Sequence, residues 1–126
     1  GSASNDSSNL ILEARQAMLL QRVAFGADAM SAREALELAT RGGADILGRP
    51  ECGRLAPGKR ADLAIWDVSG LESAGSWDPA ALLLAGPMTV KHLFVEGQQI
   101  IRDHAFAKLD LPAVIAEQNR LAQKLM

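Results

Sequence analysis

The sequence predicts an α+β fold with helices first, a small sheet with a hairpin next, and one closing helix. Three patterns carry that expectation. Apolar residues recur at helical spacing after Asn9 and again after Ser31. Short apolar runs suited to buried strands come only later, at residues 63–68 and 90–95. A last amphipathic stretch opens at Asp110-Leu111-Pro112.

The helical half reads as follows. Residues 1–9 are rich in Ser and Asn and form a loop, in which Asp6, Ser7 and Ser8 are competent helix caps. Leu10, Ala14, Ala17, Met18 and Gln21 share a helical face, widened by Ile11 and Leu12, so a first helix is expected over roughly residues 9–22. Phe25-Gly26-Ala27-Asp28 is a connection. Ser31-Ala32-Arg33-Glu34 is a capping box, with Ser31 as cap and Glu34 at the third helical position. The second helix should run from Ala32 to about Arg41. Gly42-Gly43 weakens or ends it, since each glycine costs about 1 kcal/mol inside a helix. Residues 44–47 suit a short third helix stopped by Gly48, with Pro50 beyond.

The character then changes. Gly53-Arg54-Leu55-Ala56-Pro57-Gly58-Lys59-Arg60 is rich in turn formers, and residues 63–68 follow as a strand. Residues 69–78 form a Gly/Ser loop. Asp78 caps a short helix over residues 80–84 with Pro79 in its first turn. Residues 90–95 are a second strand, Glu96-Gly97-Gln98 a tight turn, and Gln99-Ile100-Ile101-Arg102 the returning strand. Val114, Ile115, Gln118, Leu121, Ala122 and Leu125 form the apolar face of the closing helix.

Composition narrows the function classes. The 126 residues are 48% hydrophobic and 22% charged, an ordinary globular mixture, with a formal net charge of -2 that favours neither nucleic acid nor an anionic membrane. A single cysteine, Cys52, excludes an internal disulfide, favours a reducing compartment and is expected to be inert. No run approaches the roughly 18 apolar residues of a membrane span. The opening has no basic stretch followed by an apolar one, so a secretory leader is not expected and a cytoplasmic location is. The sequence does not begin with Met, as expected of a processed start or of a larger protein cut here.

Three segments, in this order and at these separations, carry a resemblance. They are Ala39-Thr40-Arg41-Gly42-Gly43-Ala44-Asp45-Ile46-Leu47-Gly48, then Gly53-Arg54-Leu55-Ala56-Pro57-Gly58-Lys59-Arg60-Ala61-Asp62 with its following strand, then Val90-Lys91-His92-Leu93-Phe94-Val95-Glu96-Gly97-Gln98. Together they resemble the amidohydrolase superfamily, whose pattern at the second segment is Gly-x-Leu-x-x-Gly-x-x-Ala-Asp. The opening Gly1-Ser2-Ala3-Ser4-Asn5-Asp6 narrows this to the 8-oxoguanine deaminases and triazine hydrolases. The resemblance implies the last helices of a (β/α)8 barrel in residues 1–50. Residues 51–108 would be part of a small β-sandwich with a short helix and hairpin, and residues 109–126 a C-terminal helix. It also implies that the metal-binding Asp of the family stands one position before Gly1.

The implied chemistry is metal-dependent hydrolysis of carbon–nitrogen bonds other than peptide bonds, as in deamination of an N-heteroaromatic ring such as 8-oxoguanine or a triazine. Zinc or iron would activate water, and a carboxylate or imidazole would move protons. Such a centre needs several His and a carboxylate. The chain has two His, His92 and His104, and neither His-x-His nor His-Glu-x-x-His. Both are expected to be ordinary strand or surface residues, so no catalytic residue or metal ligand is assigned. Asp62 and Asp67, five apart, are expected on opposite strand faces, and Asp62 is expected to satisfy backbone donors in the turn where it stands. The Gly-rich stretch lacks the phosphate-loop form, and Arg54, Lys59 and Arg60 are expected to be solvated. Ser2 and Ser4 are the candidate substrate-binding residues, because their loop would leave the C-terminal end of a barrel strand.

Two functions of different class remain open at this point. In one, the chain is the C-terminal part of such an enzyme, inactive alone, acting with the rest on a small heterocyclic substrate. In the other it is a stand-alone, non-catalytic assembly or binding module. In the family the sandwich also uses strands from the start of the enzyme, so an isolated chain is expected to leave open strand edges and to form a homo-oligomer.

Overall fold

The computed structural model describes residues 9–86 and 88–125. It is α+β, as expected. Helices α1 (Leu10–Phe25), α2 (Ala32–Glu37), α3 (Gly43–Ile46) and α4 (Pro79–Ala85) form one layer, with the strands in one sheet and α5 (Leu111–Gln123) after them.

Helix α1 begins at Asn9, whose Oδ1 accepts from the Ile11 and Leu12 N–H groups at 3.0 and 3.4 Å. The cap is therefore one residue beyond the expected Asp6, Ser7 and Ser8, which lie outside the described residues. The helix also runs three residues past the expected Arg22. It stops at Gly26, whose φ of 107 leaves the helical region while its N–H still donates to Arg22 O. The Ser31–Glu34 capping box forms in full: Ser31 Oγ accepts from Glu34 N–H, and the Glu34 carboxylate accepts from Ser31 N–H at 2.7 Å.

Of the two outcomes expected at Gly42-Gly43, the helix is perturbed and not ended, so it passes the expected limit near Arg41. The chain widens into a π-helical segment over Leu38–Gly42 and continues directly into α3. Thr40 Oγ1 donates to Leu36 O at 2.7 Å, so a side chain competes for the carbonyls just where the ladder slips. The true stop is Gly48, at φ 64. Its N–H donates to Asp45 O and the Arg49 N–H to Ala44 O, the two bonds of a Schellman turn.

The core sits between α1, α2 and α4. Ala14, Met18, Ala32, Ala35, Ala80 and Leu84 are buried, with Ile11, Met30 and Leu36 half-buried around them. Small residues dominate because the helices approach closely, and Ala35 is wholly enclosed. Leu10, expected on the buried face of α1, is exposed; the face is rotated towards Ile11, Ala14 and Met18.

Strands β1 (Leu63–Trp66), β2 (Val90–Val95), β3 (Gln98–Arg102) and β4 (Ala105–Phe106) form one antiparallel sheet in sequence order. β1 ends two residues short of the expected Val68. The β2–β3 turn has two central residues, Glu96 and Gly97, at φ 50 and 75, and Gln98 already pairs with Val95. Both positive angles match the strand twist, which makes this the tightest hairpin connection. A second turn of the same kind, Asp103-His104 at φ 46 and 67, adds β4, which the sequence did not lead us to expect. Among the described residues β1 is an edge strand, paired on one side only.

Asp78 caps α4 and Asp110 caps α5, each accepting a backbone N–H at 3.1 Å. The stripe on α5 has the expected spacing, but no residue of α5 is buried. No described helix is long and apolar enough to cross a membrane.

Candidate functional site

The turn-rich segment joins the two layers, and its residues divide that work. Gly53 lies on the helix: a Cβ built there would stand 2.9 Å from Ala44 Cβ and 3.0 Å from both Arg41 Cα and Thr40 O. At φ 79 the backbone conformation also favours glycine. Gly58 shares that φ, but nothing lies within 4 Å, so it is there for the turn alone. Asp62 reaches the sheet. Its Oδ1 accepts from Glu96 N–H at 2.8 Å, and Ala61 O accepts from Gly97 N–H at 3.0 Å. Asp62 thus satisfies a backbone donor, but the donor belongs to the distant β2–β3 turn and not, as expected, to the turn at Asp62 itself.

The basic residues of this segment are not simply solvated. Arg60 donates to the Glu96 carboxylate and lies 3.5 Å from Glu51, which also pairs with Arg49 at 2.9 Å. The Glu51 carboxyl is held below its ordinary range by its own backbone N–H and by Arg49, and the Arg60 guanidinium is raised by Glu96. Lys59 Nζ donates to Pro50 O at 2.7 Å. Arg54 and Arg60 are exposed as expected, and Lys59 is half-buried.

Between the helices and β1 lies a cleft of about 620 Å³. Leu36, Ala44, Leu55, Leu63, Trp66 and Leu83 give it a mainly apolar lining, and Cys52 is half-buried at its wall.

The titratable residues at the other end of β1 gather around Asp67. Its Oδ1 accepts from the Ser69 hydroxyl at 2.6 Å and the Ser69 N–H at 2.9 Å, and its Oδ2 lies 3.1 Å from His104 Nε2. Ser69, first, and then His104 and Lys91 hold the Asp67 carboxyl down at about 2. Ser, His and Asp are together, but Ser69 donates to Asp67 and not to His104. No base stands on the hydroxyl, so this is not a nucleophile. His92, on β2, lies 3.7 Å from Asp103 Oδ1. Asp62 and Asp67 flank β1 at opposite ends and serve different partners.

Among the described residues, no group of three or more His, Cys, Asp or Glu is placed to hold a metal. Each His stands beside a single Asp, which is short of the several His and a carboxylate that a catalytic metal needs. The substrate-binding candidates Ser2 and Ser4 lie outside the described residues. Sequence reasoning missed the Arg60–Glu51–Glu96 bridge and the Asp67–His104 contact. The Arg60–Glu96 and Asp67–His104 contacts each join residues more than thirty positions apart, and the only local signal was the aspartate at the end of the strand.

A family model described as the amidohydrolase family matches residues 1–100. Over its whole length the chain is 48% identical to an 8-oxoguanine deaminase of Pseudomonas aeruginosa, covering 28% of that protein. It is 35% identical to a 5-methylthioadenosine/S-adenosylhomocysteine deaminase of Desulforudis audaxviator, again over its whole length and 30% of the relative. Among solved structures, atrazine chlorohydrolase from Arthrobacter aurescens, complexed with zinc, matches 96% of the chain at a TM-score of 0.85 and 37% identity, over 28% of that structure. An adenosine deaminase from Xanthomonas campestris with bound zinc matches 98% of the chain at a TM-score of 0.89 and 29% identity, over 29% of that structure. The chain thus spans under a third of the length of these relatives.

Proposed function

The chain belongs to the amidohydrolase family, and from that premise we propose that it is the C-terminal part of a metal-dependent enzyme that deaminates an N-heteroaromatic ring. The observation that carries the proposal is its 48% identity, over every residue, to an 8-oxoguanine deaminase of which it covers 28%. 8-Oxoguanine is accordingly the first substrate to test, with triazines next because a triazine-acting hydrolase shares the fold at 37% identity.

Residues 1–50 would then contribute the loop and helices on one side of the barrel, and residues 51–108 part of the small sandwich. The metal would be held by residues outside this chain, since no group of donors is placed for one among its described residues. Zinc is the metal in two solved relatives. Ser2 and Ser4 would reach the substrate from the loop that precedes α1. The described residues serve that centre by support: Gly53 fixes the turn to the helices, and Asp62 fixes the turn to the sheet. The open edge of β1 and the apolar cleft beside it are covered by the remainder of the longer protein. Such burial is worth about 25 cal/mol for each Å² of apolar surface.

The experiment is a substrate panel on the full-length protein. Ammonia release from 8-oxoguanine, guanine, isocytosine and an amino-triazine is followed with the protein as purified and after chelation. Release from at least one ring, lost on chelation and restored by zinc or iron, is expected. No release from any ring, or release untouched by chelation, contradicts the proposal.

A further inference from the structure

Helix α5 is exposed along its whole length, so its apolar stripe meets nothing within the described residues. It has 13 residues. A lone helix of that size is marginal in water, because packing of one face normally supplies the stability. Some surface must therefore cover α5. The match to the amidohydrolase family ends at residue 100, so α5 lies beyond the part matched to that family.

The sequence of α5 carries its own complement. Leu111, Val114, Gln118, Leu121 and Leu125 are spaced three, four, three and four apart, the seam of a pair of coiled helices. Its four apolar members are at least 41% exposed. Ile115 and Ala122 widen the stripe on one flank, and Glu117 and Lys124 stand on the other. Flanking charges of this kind set the direction and register of such a pair.

We propose that α5 pairs antiparallel with α5 of a second copy of this chain, with the two-fold axis between Asn119 and Arg120. In that register Val114 meets Leu125 of the second copy, Gln118 meets Leu121, and Glu117 stands beside Lys124. Symmetry makes each contact twice. The opposite ends of the two helix dipoles also lie side by side. An axis at Ala116 would set Glu117 against Glu117, and a parallel pair would set Glu117 beside the uncharged Ala122. Gln118 in the seam lowers the stability of the pair and restricts its register. Helices this short fall below the roughly 800 Å² per partner of a standard interface. The association is therefore weak and depends on concentration.

Sedimentation of the full-length protein, from low to high micromolar concentration, tests this. The wild type should pass from monomer to dimer. Glu117→Lys and Lys124→Glu each turn two attractions into two repulsions, and each should weaken dimerisation about tenfold. The double variant Glu117→Lys/Lys124→Glu should return to within about twofold of the wild type. Within the helix Arg120 Nε donates to Glu117 Oε2 at 2.7 Å. Arg120→Gln breaks that bond and leaves the seam alone, so it should dimerise as the wild type does. A wild type that stays monomeric overturns the proposal. So do single variants that dimerise unchanged, as they would if the same polypeptide covered α5, or a double variant as weak as the single ones.

Discussion

Asp62 Oδ1 accepts the backbone N–H of Glu96 at 2.8 Å, across 34 residues of sequence. One carboxylate thereby couples the end of the Gly-rich turn to the tip of the β2–β3 hairpin, and the Ala61–Gly97 backbone bond beside it doubles the tie. An Ala-Asp pair before a strand makes sense in this light: the alanine offers its carbonyl and the aspartate its side chain to the same turn. Asp62→Ala should lower stability by about 1 kcal/mol, the ordinary worth of one such bond. Asp62→Asn keeps an acceptor oxygen and should recover most of it. Thermal unfolding of the two variants checks this; equal losses would show that charge, not the hydrogen bond, matters.

Gly53 and Gly58 share a φ of 79 but differ in surroundings, so the same substitution separates conformation from contact. Gly58→Ala should cost about 1 kcal/mol, the left-handed penalty alone. Gly53→Ala adds the approach to Ala44, Arg41 and Thr40, and should cost about 2 kcal/mol or more. Urea unfolding with matched slopes gives both values.

In the core, Leu84 is 2% exposed while Leu71 is 90% exposed. Leu84→Ala should cost about 2–5 kcal/mol through lost burial and a residual cavity. Leu71→Ala should stay within about 0.5 kcal/mol in the absence of a covering partner. A large loss at Leu71 in the full-length protein would show that the rest of the chain covers this loop.

Asp67 gives the acid limb a specific origin. Its carboxyl is depressed from 3.8 to about 2, first by Ser69 and then by His104 and Lys91. A group depressed in the folded state stabilises above its unfolded value and loses that contribution as pH falls through the folded one. The Asp67 contribution is therefore full above about pH 4 and fades towards pH 2. Asp67→Asn should be less stable than the wild type at neutral pH, and the gap should close as pH falls through this window. A gap of constant size from neutral pH down to pH 2 would assign the loss to packing instead.

Local chemistry was legible in the sequence, and long-range partnership was not. The Ser31–Glu34 capping box, the Asp78 and Asp110 caps and the Glu96-Gly97 hairpin all act within a few residues, and each formed. The expected helix limit near Arg41 failed because intrinsic propensity was weighed without the tertiary setting: the helix carries on through a π-helical segment against which Gly53 packs. β4 escaped because Asp103-His104 holds a positive-φ turn without glycine, supported by His92 and Asp67 from elsewhere in the sheet. Arg60 is exposed as expected, but its pairs with Glu51 and Glu96 were not legible, because both carboxylates lie outside its own segment. The apolar face of α5 was visible in the sequence, but its partner is not among the described residues.

The central claim is that these 126 residues support a reaction centre they do not themselves contain. The most direct test compares the full-length protein with residues 1–126 expressed alone, each assayed for ammonia release from 8-oxoguanine in the presence of zinc. The full-length protein should release ammonia, and residues 1–126 should release none above the uncatalysed background. Turnover by residues 1–126 alone, or its absence in the full-length protein with every ring tried, would contradict the account.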